Sequence, residues 1–178
     1  MTAFLPSSAG DFPAEVRERL DRMESAARMS DVGGAGGSIF TTTTPVVGST
    51  FLDPVGFLPG PACTIQVPPS HRLLVTMSMT ATVNITADAT PITASIEATV
   101  ESTSGAVITA SAINGLLWEV TSITNQPLVS KITLSRQVLF SDLDALPTRL
   151  KMSYRASTTN PGKSVLQVLN RTISAVAL

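Results

Sequence analysis

Charged and aromatic side chains are scarce in this sequence. Asp, Glu, Lys and Arg make up 14% of its 178 residues, Phe, Trp and Tyr make up 4%, and the formal net charge at pH 7 is -1. A chain so close to neutrality has little electrostatic attraction for nucleic acid or for an anionic membrane surface. We therefore expect no nucleic-acid partner and no membrane partner.

Cysteine and histidine, which are often recruited for catalysis and metal binding, occur once each. Cys63 cannot form an intrachain disulfide, and we expect it to be a small buried side chain. His71 stands beside a proline turn, with no second group placed to orient its ring as a catalytic base would require. The sequence predicts no catalytic residue, no cofactor, no metal site and no enzymatic activity. A Cys63/His71 dyad is the enzymatic alternative.

Long apolar runs are also missing. No run reaches membrane-spanning length without Thr, Ser or a charged residue, and residues 1–10 lack the basic and apolar regions of a secretory signal. We expect a soluble protein. Its polarity comes mainly from threonine and serine, which favour strands over helix interiors.

Leu73 to Val83 carries the clearest structural signal in the chain. Aliphatic residues and methionine alternate with threonine and serine along it, so the apolar side chains fall on one face and the hydroxyls on the other. A period of two specifies a strand with one buried face. At about 3.3 Å per residue this strand is about 36 Å long and needs long partner strands.

The same alternation recurs between turn signals through the rest of the chain. Asn114-Gly115 lies between Val107 to Ile113 and Leu116 to Ile123, and it predicts a two-residue hairpin turn because both central residues need positive φ. Further strands are predicted at Cys63 to Val67, Ile92 to Val100, Val129 to Phe140, Leu150 to Ala156 and Val165 to Leu178. Roughly eight or nine strands without an intervening helical pattern indicate an all-β, antiparallel β-sandwich of jelly-roll type.

Arg136 interrupts the apolar face of the strand predicted at Val129 to Phe140. A charged group on that face needs a partner or a route to solvent. One interpretation is a bulge or an edge position from which the side chain reaches water. The other is burial at a subunit interface opposite an acidic residue.

Residues 11–29 have a helical pattern. Pro13 suits the first turn, and apolar residues spaced four, three and four apart form a narrow coiled-coil seam. Arg19 and Glu24 flank this seam, where they can pair between neighbouring helices. The stripe predicts either packing on the protein's own sheet or self-association. The residues assigned to oligomerisation are Val16, Arg19, Leu20, Met23, Glu24 and Ala27.

Residues 31–62 separate this helix from the sandwich. The glycine-rich tract Gly33 to Ser38 predicts a flexible linker. Beyond it, prolines exclude a central strand while bulky apolar residues need a surface to cover, so we expect an extended arm that lies on its own domain or on a neighbour. The arm-docking residues are Phe51, Leu52, Phe57 and Leu58. The predicted organisation is a tail and helix in residues 1–30, a linker and arm in 31–62, and the sandwich in 63–178.

Several of these segments together resemble a known family. The segment from Arg19 to Glu24 is similar to the signature of short trimeric coiled coils. The layout of helix, glycine joint, Gly48 to Asp53, Leu58 to Pro61 and His71 to Thr76 resembles the small β-sandwich virion proteins of tailed bacteriophages that infect actinobacteria. His71 departs from the pattern, because such proteins tend to have glycine in that turn.

The resemblance implies a structural role and carries no catalytic residues. We expect a homotrimer on the outer surface of the virion that decorates and stabilises the capsid. Its partners would be its own copies and the major capsid protein, and it would be soluble in the host cytoplasm before assembly. The alternative is a minor tail, collar or fibre protein whose sandwich head binds a receptor or a host-surface glycan.

Overall fold

The computed structural model describes residues 33–53 and 60–178, and β-strands dominate this part of the chain. The predicted helix of residues 11–29 lies outside the described residues. The strands are β1 Gly34–Ile39, β2 Ala62–Gln66, β3 Leu73–Ile85, β4 Thr93–Ser104, β5 Leu116–Thr121, β6 Leu128–Phe140, β7 Pro147–Thr158 and β8 Ser164–Ala177. Two short 3-10 helices, Ala112–Asn114 and Pro161–Lys163, lie in loops.

The strands form two four-stranded antiparallel sheets. Sheet I has the order β1-β8-β3-β6, and sheet II has the order β2-β7-β4-β5. Each strand of the first half pairs with its counterpart from the second half, β1 with β8, β2 with β7, β3 with β6 and β4 with β5. A long hairpin rolled up into two layers gives this pairing, which is the jelly-roll arrangement. The antiparallel, jelly-roll-like sandwich predicted from the sequence is therefore confirmed.

The core lies between the two sheets and follows the predicted alternation. On β3, Leu73, Val75, Met77 and Met79 are all 0% exposed, and they meet Ile96 and Val100 of β4 within one apolar cluster. Burying each large aliphatic side chain contributes roughly 1.5–3 kcal/mol to folding. The long strand has the long partners it needs, because β6 and β8 pair with it along nearly its whole length.

The glycine-rich tract is a strand, and its prediction as a linker is wrong. Gly34–Ile39 pairs in antiparallel register with Arg171 to Val176 of β8. Gly37 allows close packing between the sheets, because a Cβ atom added there would lie 2.2 Å from the carbonyl oxygen of Ala62, the first residue of β2. The backbones of two edge strands therefore touch at a point where no side chain fits.

The predicted hairpin at Asn114-Gly115 is also wrong. Residues 107–111 form a loop, and Ser111 Oγ caps the 3-10 helix that follows by accepting from the Ile113 N–H at 3.3 Å. Gly115 has a φ of -101°, which any residue can adopt. Its Cβ would lie 2.6 Å from the carbonyl oxygen of Ala98, so the glycine allows β5 to begin close beside β4.

A bulge in β8 changes which residues face the core. The register with β3 shifts between Ser78 and Thr80, and the extra residue, Asn170, has a φ of 48° in the left-handed region. Leu166 and Val168 face inward before the bulge, and Arg171 faces inward after it. The extra residue reverses the alternation, so the side chain of Arg171 points into the sandwich. Bulges commonly redirect side chains in this way.

Candidate interaction surfaces

The residues assigned to oligomerisation and arm docking fall into two groups. The oligomerisation set, Val16, Arg19, Leu20, Met23, Glu24 and Ala27, lies outside the described residues, as do Phe57 and Leu58. Phe51 and Leu52 lie in residues 41–53, which we call the strap. Whether any of these residues contact another subunit remains a prediction.

The strap crosses from sheet I to sheet II of its own domain. At one end Thr43 and Val168 of β8 exchange backbone hydrogen bonds of 3.0 and 2.8 Å. At the other end Leu52 and Tyr154 of β7 exchange bonds of 2.8 and 2.9 Å. The side chain of Leu52 stays 44% exposed, so backbone pairing holds this end rather than apolar burial.

Two charged pairs on sheet II hold the strap in place. Arg155 donates to both carboxylate oxygens of Glu97 at 2.9 and 2.8 Å, donates to the Ser49 carbonyl at 2.9 Å, and lies 4.6 Å from the ring centre of Phe51. Bidentate bonds of this kind combine strength with fixed geometry, and the ring adds a cation–π contact. The strap residues Ser49 and Phe51 are therefore fixed by one guanidinium.

Lys151 forms the second pair. Its ammonium lies 3.0 Å from Asp53 of the strap and 3.3 Å from Glu101 of β4. Burial by itself lowers the pKa of Lys151, but the hydrogen bonds and charges of Asp53 and Glu101 raise the pKa above its ordinary value. The lysine stays charged and ties the end of the strap to the outer face of sheet II.

Arg171 and Tyr154 meet inside the sandwich. Arg171 is 0% exposed; its Nη2 donates to the Thr41 carbonyl at 3.2 Å, and its guanidinium carbon lies 5.7 Å from the centre of the Tyr154 ring. Nε and Nη1 of Arg171 and the hydroxyl of Tyr154 have no hydrogen-bond partner within the described residues. Burial raises the pKa of Tyr154 strongly, and the charge of Arg171 only partly opposes this. The sequence alone gave no sign of this buried pair.

A groove of about 810 Å³ runs between the strap and the loop that joins β4 to β5. Ser49 and Phe51 line one side, and Thr103, Thr109 and Ser111 contribute hydroxyls to the rest. Its charged members, Glu101 and Arg155, are already engaged in the ion pairs described above. The groove can therefore offer hydroxyl groups and one aromatic ring to a neutral polar ligand.

The outer face of sheet I is almost free of charge. Across its centre, Ser38, Thr172, Ser78 and Ser135 stand in one row over all four strands. Hydroxyl pairs join neighbouring strands, Ser78 with Thr172 at 2.6 Å and Thr80 with Thr133 at 2.9 Å. Lys131 is the single ionisable side chain at the outward positions of β1, β3, β6 and β8.

The outer face of sheet II is different, because it carries both signs of charge. Its ionisable residues are Glu97, Glu101, Glu119, Arg149, Lys151 and Arg155. Depletion of charge from one face is typical of the centre of a protein interface. This contrast was not predicted, although the outward positions follow from the same alternation that predicts the strands.

The side of the sandwich formed by β5 and β6 is less closed than the side crossed by the strap. Strand β5 has 6 residues and β6 has 13, so much of β6 extends beyond its neighbour in the facing sheet. Partly buried apolar residues that flank the core gather here: Trp118, Val120, Leu128, Ile132, Leu134 and Phe140. We call this the open side.

The structure gives the environments of His71, Cys63 and Arg136, the three residues considered individually in the sequence. His71 has a φ of 60°, the conformation that glycine favours, and its Nδ1 lies 2.6 Å from the Leu143 carbonyl oxygen. Cys63 is buried, which raises the pKa of its thiol, whereas a reactive cysteine needs a lowered pKa. Arg136 is exposed on the edge strand β6 and donates to the Gly115 carbonyl at 2.6 Å, in agreement with the interpretation as an edge residue.

Neither a metal-ligand cluster nor a membrane-spanning helix occurs in the described ranges, residues 33–53 and 60–178. No three His, Cys, Asp or Glu side chains there come together in a group that could hold a metal ion. No helix within residues 33–53 and 60–178 is long and apolar enough to cross a membrane.

Comparison with known proteins gives structural neighbours only. No family model and no curated protein matches the sequence. A protein in the crystal structure of the T13 IBDV viral particle is 8% identical over 81% of this chain, with a TM-score of 0.42, and this chain covers 31% of its length. A protein of Broad Bean Stain Virus is 12% identical, with a TM-score of 0.31 and coverage of 80% of this chain and 81% of that one. One from a human norovirus GI.7 VLP is 12% identical, with a TM-score of 0.22 and coverage of 79% and 29%.

Proposed function

We propose that this chain is a structural protein of a virus particle: a trimeric outer-surface protein that decorates and stabilises a bacteriophage capsid. The observation that carries the proposal is the outer face of sheet I, where Lys131 is the one ionisable side chain at the outward positions. In a sheet with one solvated face, the strands normally alternate apolar residues directed to the core with polar or charged residues directed to water. Short hydroxyls without charge suit a surface that is flat, wets readily before assembly and is then covered.

The size of this face fits a stable protein contact. Four strands spaced about 4.8 Å apart, with a mean length near 38 Å, give roughly 700 Å². A standard interface buries about 800 Å² on each partner. The face is therefore large enough to seat the protein on a shell without help from the strap, which is bound to its own domain.

The proposals of a trimer and of a bacteriophage capsid as its site are supported by the sequence alone. The seam of Leu20 and Met23, with Arg19 and Glu24 beside it, resembles a trimeric coiled coil. A threefold assembly repeats the contact face three times, so a weak contact for each copy becomes a firm attachment for the trimer. The proposed partner of the face is the major capsid protein.

The test places one charge on the proposed contact face and one on the opposite face. Ser174 of β8 and Ser157 of β7 are both exposed serines on long strands, one on sheet I and the other on sheet II. We expect Ser174→Asp to reduce the number of copies bound to purified particles at least several-fold, while Ser157→Asp leaves it unchanged. Quantitative mass spectrometry of the particles counts the copies, and electron microscopy locates them.

Two results would overturn the proposal. Particles that contain no copies of the chain would remove the structural role altogether. Equal occupancy by both variants would show that sheet I is not the contact face. Copies confined to the tail would support the second candidate.

The second candidate is a minor tail, collar or fibre protein whose sandwich binds a host-surface glycan. The groove beside the strap favours it, because hydroxyls and the Phe51 ring are groups that saccharides contact. Particles that carry Phe51→Ala should then lose binding to host cells. Phe40→Ala, which replaces a ring that is 71% exposed and does not line the groove, should not change binding.

A further inference from the structure

Strand β6 is a long and regular edge strand, and Lys131 and Arg136 are its charged residues. Its register with β3 runs from Leu73 opposite Phe140 to Ile85 opposite Leu128 with no bulge, and it contains no proline. No backbone hydrogen bond joins β6 to any described element other than β3. Alternate residues of an antiparallel strand direct their N–H and C=O groups away from the paired neighbour. Within residues 33–53 and 60–178 this edge therefore presents a row of unpaired backbone donors and acceptors, which invites pairing with another strand.

The apolar side chains along the same edge are incompletely covered. Leu128, Ile132, Leu134 and Phe140 face the core from β6 but are only partly buried. On the outward face, Val129 is 76% exposed and Leu139 is 48% exposed. An added strand would both satisfy the backbone groups and cover these side chains.

We propose that β6 pairs antiparallel with β6 of a second copy of this chain, so that the two copies of sheet I form one continuous sheet across a twofold axis. The sequence of β6 is complementary to itself in the register that uses its whole length, with Leu134 at the axis. Val129 then lies opposite Leu139 of the second copy, and Leu128 lies opposite its Phe140. Each of these contacts occurs twice, as twofold symmetry requires.

The charges on β6 are compatible with this register. Lys131 lies opposite Gln137 of the second copy, and the two Lys131 residues are about 20 Å apart along the paired strands. Opposite residues have the same parity, so inward side chains of both copies stay on the core side. Arg136 lies opposite Ile132, and its guanidinium already donates to the Gly115 carbonyl of its own chain.

This inference does not depend on the virion role. A twofold contact through β6 also differs from the threefold contact proposed for the N-terminal helix. A protein with both contacts would link trimers to one another, which a trimer alone cannot do.

A disulfide at the twofold axis tests the pairing in the full-length chain. In a Cys63→Ala background, Leu134→Cys would bring two sulfurs together at an axis where paired Cα atoms lie about 4.5–5.5 Å apart, within the range that a disulfide spans. We expect a covalent dimer after mild oxidation, seen by denaturing electrophoresis. The matched control is Leu117→Cys, which replaces a leucine that is 61% exposed on β5, the edge strand of sheet II on the same side. It should cross-link far less.

Charge variants at Gln137 provide a test that leaves the apolar side chains intact. Gln137 is exposed on the outward face, so neither variant disturbs the core. Gln137→Glu places a carboxylate opposite Lys131 of the second copy and should increase cross-linking, whereas Gln137→Lys should decrease it. The expected change is about 1.4- to 5-fold for each of the two symmetric pairs.

Three results would contradict the pairing of β6 with β6 of a second copy. Absence of a Leu134→Cys dimer, equal cross-linking of Leu117→Cys, or no response to the charge at position 137 would each overturn the pairing. If Leu134→Cys does not fold, sedimentation of the two Gln137 variants in the otherwise native chain decides the question. The native chain should then fall between them in its degree of association.

Discussion

Arg155 and Glu97 face each other across β7 and β4, joined by hydrogen bonds from Nε at 2.9 Å and from Nη2 at 2.8 Å. The third donor of the same guanidinium, Nη1, reaches the carbonyl oxygen of Ser49 at 2.9 Å. One side chain thus joins two central strands of sheet II to the strap. The stability of the strap should depend on this arginine more than on any apolar residue within it.

Replacing Arg155 with methionine keeps the aliphatic stem and removes these bonds. We expect the free energy of unfolding to fall by about 1–3 kcal/mol, because Glu97 loses its partner and the strap loses its anchor. Urea denaturation measures the change. Arg149→Met is the matched control: Arg149 lies on the same strand with an exposed side chain, and its substitution should stay within about 0.5 kcal/mol.

The strap itself gives a local measurement of the same effect. The Gly48 and Leu52 N–H groups donate to Ala156 and Tyr154 at 2.9 and 2.8 Å. Their hydrogen exchange should accelerate in Arg155→Met more than that of the central strand β3. Unchanged protection at both amides would mean that backbone pairing alone secures the strap.

Replacing Arg171 with methionine should not lower the free energy of unfolding, in contrast to Arg155→Met. Arg171 is fully buried, keeps one hydrogen bond of 3.2 Å to Thr41, and has two nitrogens without a partner in the described part of the chain. A buried charge without a counter-charge among the described residues is unfavourable, and even a complete buried ion pair can often be replaced by apolar residues with a neutral effect or a gain of about 1–4 kcal/mol. Arg171→Met should therefore leave the free energy of unfolding unchanged or raise it. A loss of more than about 2 kcal/mol would indicate that the contact with the Tyr154 ring outweighs the cost of burying the charge.

The burial of the Tyr154 hydroxyl predicts how the free energy of unfolding depends on pH in the alkaline range. Burial raises the pKa of this hydroxyl in the folded protein well above the ordinary value of about 10. At a pH between the pKa of this hydroxyl in the unfolded chain and its pKa in the folded chain, the unfolded chain has lost the phenolic proton while the folded chain still binds it. The free energy of unfolding therefore falls as pH rises. The contribution of the protonated Tyr154 hydroxyl to the free energy of unfolding is complete below about pH 10 and is lost progressively above it.

The measurement uses the fact that Tyr154 is the single tyrosine. Tyrosinate absorbance should appear together with unfolding rather than before it. Tyr154→Phe should flatten the alkaline decline in the free energy of unfolding. Titration of the hydroxyl in a protein that is still fully folded would contradict this account.

The sandwich could be predicted because its strands obey one simple rule. From Leu73 onward, apolar and hydroxyl-bearing residues alternate, and burial of one face determines the register. Local patterns failed where contacts distant in sequence decide the structure. Gly37 is a strand residue because β8 pairs with it, and glycine is needed there because β2 approaches closely. Gly115 is required by the nearby Ala98 carbonyl rather than by a hairpin turn.

The surfaces were less predictable than the fold. The alternation identifies the outward residues of β3, but only the strand order shows that β1, β8 and β6 extend the same uncharged face. Arg171 turns inward because of one extra residue at Asn170, which no periodic pattern reveals. Phe51 was expected to bury apolar surface, yet its described partner is the charged Arg155.

The close contact between the two sheets at Gly37 gives the sharpest test of the fold. A methyl group at Gly37 would lie 2.2 Å from the Ala62 carbonyl oxygen, whereas one at the neighbouring Gly36 would lie 3.5 Å from its nearest contact, the Ile173 carbonyl oxygen. Gly37→Ala should reduce the free energy of unfolding by about 1–3 kcal/mol, because β1 or β2 must move apart. Gly36→Ala should change it by less than about 1 kcal/mol and can raise it, because alanine restricts the unfolded chain. Denaturation of both variants by urea measures the difference. If the two substitutions had equal effects, β1 would not pack against β2 as described, and the tract would behave as the linker that its composition suggests.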